Sequence, residues 1–248
     1  MRIQKYLANH SQLSRRQVER LILEGHVTVN DQLAEIGQSV GRGDCIIVDG
    51  QSFNVQFSTS ERPQVLILNK PLGVICSKVD AQMRPTIFEL LPNQNQEKWI
   101  MVGRLDVNTS GLILFTTNGD FAHKLMHPSS QLVRRYHVRV YGEVRSEAVT
   151  CMLQGVMIDG RRLSFKSCKQ LKNKQHAKNA WYEVEVLSGQ YRMVRRLWES
   201  QSIRVSRLVR VAYGPVSLPK SLRVGTCAML SDVDVDALSK EVISAPKT

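Results

Sequence analysis

The chain has 248 residues, 42% of them hydrophobic and 23% charged, which is ordinary for a globular protein and enough for one large domain or two smaller ones. No apolar run approaches the roughly eighteen residues of a membrane-spanning helix, and the first residues lack the apolar core of a signal peptide, so we expect a cytoplasmic protein. The formal net charge of +12 favours a polyanionic partner, either nucleic acid or an anionic membrane surface.

The positive charge is concentrated in two blocks. Residues 161–178 contain seven Lys or Arg and no acid, and residues 192–223 contain eight against the single acid Glu199. Because each neutralised phosphate releases counterions, such blocks indicate a nucleic-acid-binding face. Neither block has the length or periodicity of a helix that lies on a membrane, so we expect no membrane partner.

Metal and disulfide chemistry have little support. The five cysteines are scattered, odd in number and free of C-x-x-C spacing, which is typical of reduced thiols in a cytosol. His123 and His127 are four residues apart, but Lys124 stands where a metalloprotease helix has Glu, and Pro128 follows the second His. We therefore predict no metal site.

Residues 1–50 predict a small separate unit. Ser14 followed by Gln17 is a capping-box pattern, and the apolar stripe after it ends at Gly25, which predicts a helix over about residues 15–24. Arg16 and Arg20 lie one turn apart on its outer side, a spacing that suits neighbouring phosphates. Short strands are expected to follow. Six basic residues balance six acids in this unit, so an RNA-binding face there requires that the charges be segregated.

The polar residues 51–63 predict a linker, residues 64–236 a larger domain, and residues 237–248 a frayed C-terminal tail. Within the larger domain, a short apolar run begins at Val65, a helical patch covers residues 121–126, and alternating patterns predict strands over 136–141 and 182–187. Many strands with few helices between them indicate an α+β fold whose sheet is mixed or largely antiparallel and packed against helices.

A short polar turn, Gly103-Arg104-Leu105-Asp106, lies between apolar runs at 99–102 and 112–115. Both runs predict short buried strands, so Asp106 is expected in a loop that a rigid scaffold presents. Such an Asp is well placed for catalysis. An Asp in a turn rich in Asn, Ser and Gly also commonly caps its own backbone, and the spacing alone favours that second interpretation.

Four segments, at 68–74, 103–120, 135–138 and 189–197, resemble in register the signature motifs of the RNA pseudouridine synthases of the RsuA and RluB type. Residues 1–50 resemble the S4 RNA-binding domain, with its αL-type helix and short strands, in which a basic helix face and adjoining loop grip structured RNA. The resemblance implies conversion of a uridine to pseudouridine in bacterial ribosomal RNA, without a cofactor.

The same resemblance implies roles for individual residues. Asp106 is the catalytic carboxylate, acting either as the nucleophile at C1′ or as the base that removes the C2′ proton, and Arg195 is its cationic partner. Tyr136 stacks on the uracil and its hydroxyl accepts or relays a proton, and Leu197 packs against the base. Independently of the resemblance, Arg104 lies two residues before Asp106 on the same side of an extended chain, so we expect it to fill the gap that the flipped nucleotide leaves. The residues implied or expected to contact RNA are Lys5, Ser14, Arg15, Arg16, Arg20, Lys70, Arg192 and Arg196.

Several alternatives stay open at this point. The motifs resemble most closely the branch that modifies 23S rRNA, with 16S rRNA as the near alternative. A non-catalytic S4-type RNA-binding or ribosome-assembly protein is a different class, although such a protein is expected to lack Asp106, Tyr136 or Arg195. The substrate is either free rRNA or an assembly intermediate, and nothing in the sequence requires more than a monomer. Arg192-Met193 departs from the His-Gln of many relatives, which affects substrate detail.

Overall fold

The computed structural model describes residues 1–11, 13–56, 62–92, 99–171 and 179–244. The chain divides into two compact units, residues 1–62 and 63–248. Within the described ranges, no helix is long and apolar enough to cross a membrane, and no three potential metal ligands are grouped together.

The small unit packs two helices against a four-stranded antiparallel sheet of order β2-β1-β3-β4. Its elements are α1 (Ile3–His10), α2 (Arg15–Leu23), β1 (Val27–Val29), β2 (Gln32–Leu33), β3 (Cys45–Val48) and β4 (Gln51–Asn54). The predicted helix is confirmed, and so is its capping box, because Ser14 Oγ accepts from Gln17 N and the Gln17 side chain accepts from Ser14 N. The predicted boundary at residue 50 was wrong, since β4 pairs with β3 and extends the unit into the expected linker.

The large unit is built mainly of strands. Its elements are β5 (Val65–Lys70), β6 (Ile100–Val102), β7 (Ser110–Thr116), α3 (Gly119–Met126), β8 (Arg134–Tyr141), α4 (Ser146–Gln154), β9 (Val156–Ile158), β10 (Arg161–Leu163), β11 (Ser167–Gln170), β12 (Asn179–Val186), α5 (Met193–Ser200), β13 (Arg204–Tyr213), β14 (Val216–Ser217), β15 (Cys227–Met229) and α6 (Asp232–Ser244). Short 3-10 helices span Ile87–Leu90 and Pro128–Ser130. The strands predicted at Val65, 136–141 and 182–187 and the helical patch at 121–126 are confirmed.

Most strands of the large unit belong to one sheet, ordered β11-β12-β8-β13-β7-β5-β15, with β14 on β13 and β6 on β7. Among the described residues, β13 and β7 pair in parallel and the other neighbours pair antiparallel. The expectation of a mixed, largely antiparallel sheet with helices packed against it is therefore confirmed.

Gly111 makes the central parallel pairing possible. Its φ is +103°, and a Cβ at this position would lie 2.3 Å from the backbone oxygen of Arg210. A side chain here would both strain the backbone and overlap β13, so only glycine lets the strands approach this closely. The start of β7, and the loop before it, are thereby held beside β13.

The sheet separates two apolar cores. Side chains alternate across a strand, and β5 places Leu66 and Leu68 in one core and Val65 and Ile67 in the other. Leu238 of α6 is fully buried in the second core. The prediction of a frayed tail from residue 237 was therefore wrong for residues 237–244, which continue a packed helix; residues 245–248 lie outside the described part of the chain.

Candidate active site

The loop that carries Asp106 connects β6 to β7 and is fixed mainly through its backbone. Asp106 O accepts from Thr109 N at 3.0 Å, and Val107 O accepts from Gly73 N at 2.9 Å. The buried Leu105 side chain anchors the loop in the first core, and Leu105 N donates to the Sγ atom of Cys76 at 3.4 Å. Asp106 itself is half-buried.

Lys70 is the strongest anchor of this loop. It ends β5 with 0% exposure, and its ammonium donates to the carbonyls of Pro71 at 3.0 Å, Asp106 at 3.2 Å and Thr109 at 2.9 Å. Burial lowers the pKa of Lys70, and the charges of Cys76 and Asp106 oppose that shift. The prediction that Lys70 contacts RNA was wrong, because its three protons are bound to backbone carbonyls beneath the loop.

The Asp106 side chain does not cap the turn. The Asp106 carbonyl closes the turn through Thr109 N, while its carboxylate accepts no hydrogen bond from the residues that the structure describes. The backbone-capping interpretation, which spacing alone favoured, is therefore wrong. A carboxylate with free acceptor positions is available to a ligand.

Arg195 lies under the same loop. It is 6% exposed on α5, and its guanidinium donates to Asn108 O at 2.7 Å and to Val205 O at 3.2 Å. Its buried Nε finds no acceptor among the described residues. Burial chiefly lowers the pKa of Arg195, the nearby Arg192 adds to this shift, and the negative charge of Asp106 opposes it.

The expected direct ion pair between Arg195 and Asp106 is absent from the described part of the molecule. The guanidinium instead donates two hydrogen bonds to backbone carbonyls, and one of these carbonyls belongs to Asn108, two residues after Asp106. The two charges still act on each other electrostatically. Arg195 thus joins the loop of Asp106 to the start of β13, which is a positioning contact as well as a source of positive charge.

Tyr136 and Leu197 belong to one apolar cluster. Tyr136 is 8% exposed on β8, Leu197 is fully buried on α5, and the first core that contains both also contains Leu105 and Val194. These last two residues directly precede Asp106 and Arg195. The structure therefore assembles the four predicted residues around a single core, with the carboxylate at its edge.

A cavity of about 590 Å³ adjoins the Asp106 loop on the side of Val107 and Asn108. Tyr136 and Leu197 are not part of its wall. Its lining residues are Leu72, Gly73, Val107, Asn108, Tyr141, Arg195, Arg204, Val205 and Ser206.

The other predicted site residues lie at or near the surface. Arg104 is exposed on the loop, two residues before Asp106. Arg192 lies 3.5 Å from Glu199, and Arg196 pairs with Asp159. In the small unit, Arg15, Arg16 and Arg20 are exposed along α2, Ser14 is engaged as its cap, and Lys5 is half-buried.

Sequence reasoning missed Cys76 and Asn108 as supports of the loop. Cys76 receives the amide of the residue before Asp106, and Asn108 supplies the carbonyl that Arg195 binds. Both contacts use backbone atoms of the loop, so the pattern of side chains in the sequence does not predict them. The burial of Lys70 did have a signal, since it ends a strand whose preceding residues are nearly all apolar.

Both units of the chain resemble known proteins. The family model for RNA pseudouridylate synthase matches residues 64–200, and the S4 domain model matches residues 1–46. The chain is 45% identical to "Ribosomal large subunit pseudouridine synthase B" of Pseudomonas aeruginosa over 97% of its own length, but it spans only 62% of that relative. A protein of the same name from Buchnera aphidicola (subsp. Acyrthosiphon pisum) is 36% identical, with 97% of each chain covered. A solved pseudouridylate synthase structure matches with a TM-score of 0.65 and 25% identity, covering 96% of this chain and 99% of the other.

Proposed function

Because the chain belongs to the RNA pseudouridylate synthase family, we propose that it isomerises a uridine of bacterial large-subunit ribosomal RNA to pseudouridine. The observation that carries the proposal is the Asp106 carboxylate, which has free acceptor positions on a loop fixed by Lys70, Arg195 and Cys76. The names of the relatives that match over nearly the whole chain favour the large subunit.

The reaction rearranges bonds within one nucleotide. The bond between uracil N1 and C1′ of the ribose breaks, the base turns, and C5 forms a new bond to C1′. The proton on C5 leaves and N1 gains one, so no redox cofactor or energy source is needed. Asp106 acts either by attacking C1′ or by removing the C2′ proton, and both routes require an ionised carboxylate beside the sugar.

Two buried cations support that carboxylate. Lys70 and Arg195 hold the loop by hydrogen bonds to its carbonyls, and both interact electrostatically with Asp106. Neither donates directly to the carboxylate among the described residues, so its oxygens remain available for the sugar. This arrangement combines positioning with positive charge, which is how a folded site keeps a reactive acid in place.

Tyr136 and Leu197 form the apolar side of the proposed uracil site. Since both are nearly or fully buried, the base must enter by displacing their neighbours, after it has left the RNA stack. Tyr136 then stacks on the uracil, and its hydroxyl accepts or relays the C5 proton. Arg104, exposed two residues before Asp106, occupies the gap that the base leaves.

The small unit and the basic surface supply affinity for RNA. The exposed α2 arginines, together with Arg192 and Arg196, fit contacts to phosphate. All groups of the proposed active site come from one chain, so a monomer suffices, and a bacterial ribosomal RNA substrate implies action in the cytoplasm. Free rRNA and an assembly intermediate both offer this chemistry.

The test uses the purified protein with unmodified large-subunit and small-subunit rRNA transcripts. Carbodiimide labelling followed by primer extension detects each pseudouridine as a stop. We expect one new stop in the large-subunit transcript and none in the small-subunit transcript. A stop only in small-subunit rRNA would reassign the substrate, and no stop in either transcript or in purified precursor ribosomal particles would overturn the activity.

A further inference from the structure

The cavity beside the Asp106 loop shares Arg195 with the proposed active site, but most of its wall has no role in the chemistry described so far. Its volume of about 590 Å³ lies within the range of small-ligand pockets, and its wall comes entirely from the large unit. Val107 and Asn108, which line it, immediately follow Asp106, whereas the buried Tyr136 and Leu197 are not among its lining residues. The cavity therefore adjoins the proposed active site through Arg195 and the Asp106 loop.

The wall of the cavity carries groups of the kind that bind nucleotides in proteins. Tyr141 is 57% exposed and Leu72 is 54% exposed, so an aromatic ring and an aliphatic side chain are open to solvent. Arg204 is the cross-strand partner of Tyr141, so the two side chains leave the sheet on the same face. Aromatic faces stack on bases regardless of sequence, and arginine contacts phosphate.

The guanidinium of Arg204 is not engaged by any of the described residues. It forms no ion pair or side-chain hydrogen bond there, in contrast to the nearby Arg139, which donates to Ser206 Oγ at 2.9 Å and lies 6.0 Å from the Trp181 ring. Arg204 is also exposed. Its guanidinium is thus available to an anionic group that enters the cavity.

We propose that this cavity binds one unpaired nucleotide adjacent to the target uridine, with its base stacked on Tyr141 and its phosphate on Arg204. The proposal rests on the proposed function. Neighbouring Cα atoms are about 3.8 Å apart, so a ligand against Val107 is within one nucleotide of a sugar at Asp106. Binding a second base outside the stack helps to hold the RNA in the opened form that isomerisation needs.

The test measures KM and kcat for pseudouridine formation in a short RNA containing the mapped target. Tyr141→Ala and Arg204→Ala are compared with Met157→Ala and Arg145→Ala, which remove exposed side chains outside the cavity, the basic blocks and the family motifs. We expect Tyr141→Ala to raise KM about tenfold with kcat nearly unchanged, as loss of one stacked base does. Tyr141→Phe should keep the wild-type KM, and both controls should stay within twofold.

RNAs with an abasic nucleotide at each position around the target identify the bound base. At one position the abasic nucleotide should raise the KM of the wild-type protein about tenfold. The same RNA should leave the KM of Tyr141→Ala at the value that this variant has with the intact RNA. Three results would overturn the second nucleotide site. The first is a further rise in the KM of Tyr141→Ala with every abasic RNA, the second is a wild-type KM in both Tyr141→Ala and Arg204→Ala, and the third is a fall in kcat without a change in KM. Wild-type activity on the intact RNA separates this failure from failure of the proposed function, which would abolish pseudouridine formation altogether.

Discussion

Lys70→Met tests whether the buried ammonium holds the catalytic loop. The change keeps much of the side-chain volume but leaves the carbonyls of Pro71 and Thr109 without a donor, while Asp106 O keeps only the bond from Thr109 N. Each buried carbonyl without a donor lowers the free energy of unfolding by roughly 1–3 kcal/mol, while removal of a buried charge offsets part of this loss. We therefore expect the free energy of unfolding to fall by about 3 kcal/mol, in the lower half of the range for two such carbonyls.

The assay combines urea unfolding with turnover. We expect kcat to fall at least about tenfold in Lys70→Met while RNA affinity stays within threefold, because the loop that carries Asp106 loses two of its anchors. Lys124→Met, on the exposed side of α3, is the matched control and should change stability by less than about 0.5 kcal/mol. Wild-type stability together with wild-type kcat in Lys70→Met would refute the role of the ammonium.

Three further predictions concern other parts of the fold. Gly111→Ala should destabilise the protein by more than about 4 kcal/mol, since its Cβ would overlap Arg210 O; a melting temperature near that of the wild type, by circular dichroism, would contradict this. Iodoacetamide at pH 8 should label exposed Cys151 well before Cys168, because burial raises the pKa of the Cys168 thiol to about 12; peptide mass spectrometry showing equal rates would count against it. Ser14→Ala should cost about 1 kcal/mol in urea unfolding through loss of the α2 cap, whereas an unchanged midpoint would show that the cap is dispensable.

Local signals made much of the fold predictable. The cap and the apolar stripe of α2 lie within ten residues of one another. The strand that begins at Val65 coincides with an apolar run, and the strand that begins at Arg134 coincides with alternating buried and more exposed residues. The end of the chain was harder, because α6 is stabilised by burying Leu238 in a core formed by distant strands. The residues of the tail by themselves do not predict that packing.

The candidate site shows the same division. The motifs pointed to Asp106, Tyr136 and Arg195, but not to how they are held. Lys70 reaches carbonyls 36 and 39 residues away, and Arg195 reaches one 87 residues away. Contacts with backbone atoms at such separations depend on the folded sheet, so the loop anchors and the adjoining cavity became visible only in three dimensions.

The most direct measurement of the central claim is single-turnover tritium release from rRNA labelled at uridine C5, comparing wild type with Asp106→Asn. The substitution keeps the size of the side chain and removes its charge. We predict that release falls at least about a thousandfold while the RNA dissociation constant stays within threefold, and that Glu147→Gln, at the exposed start of α4, behaves like the wild type. Tritium release by Asp106→Asn at the wild-type rate would contradict the assignment of Asp106 as the catalytic carboxylate.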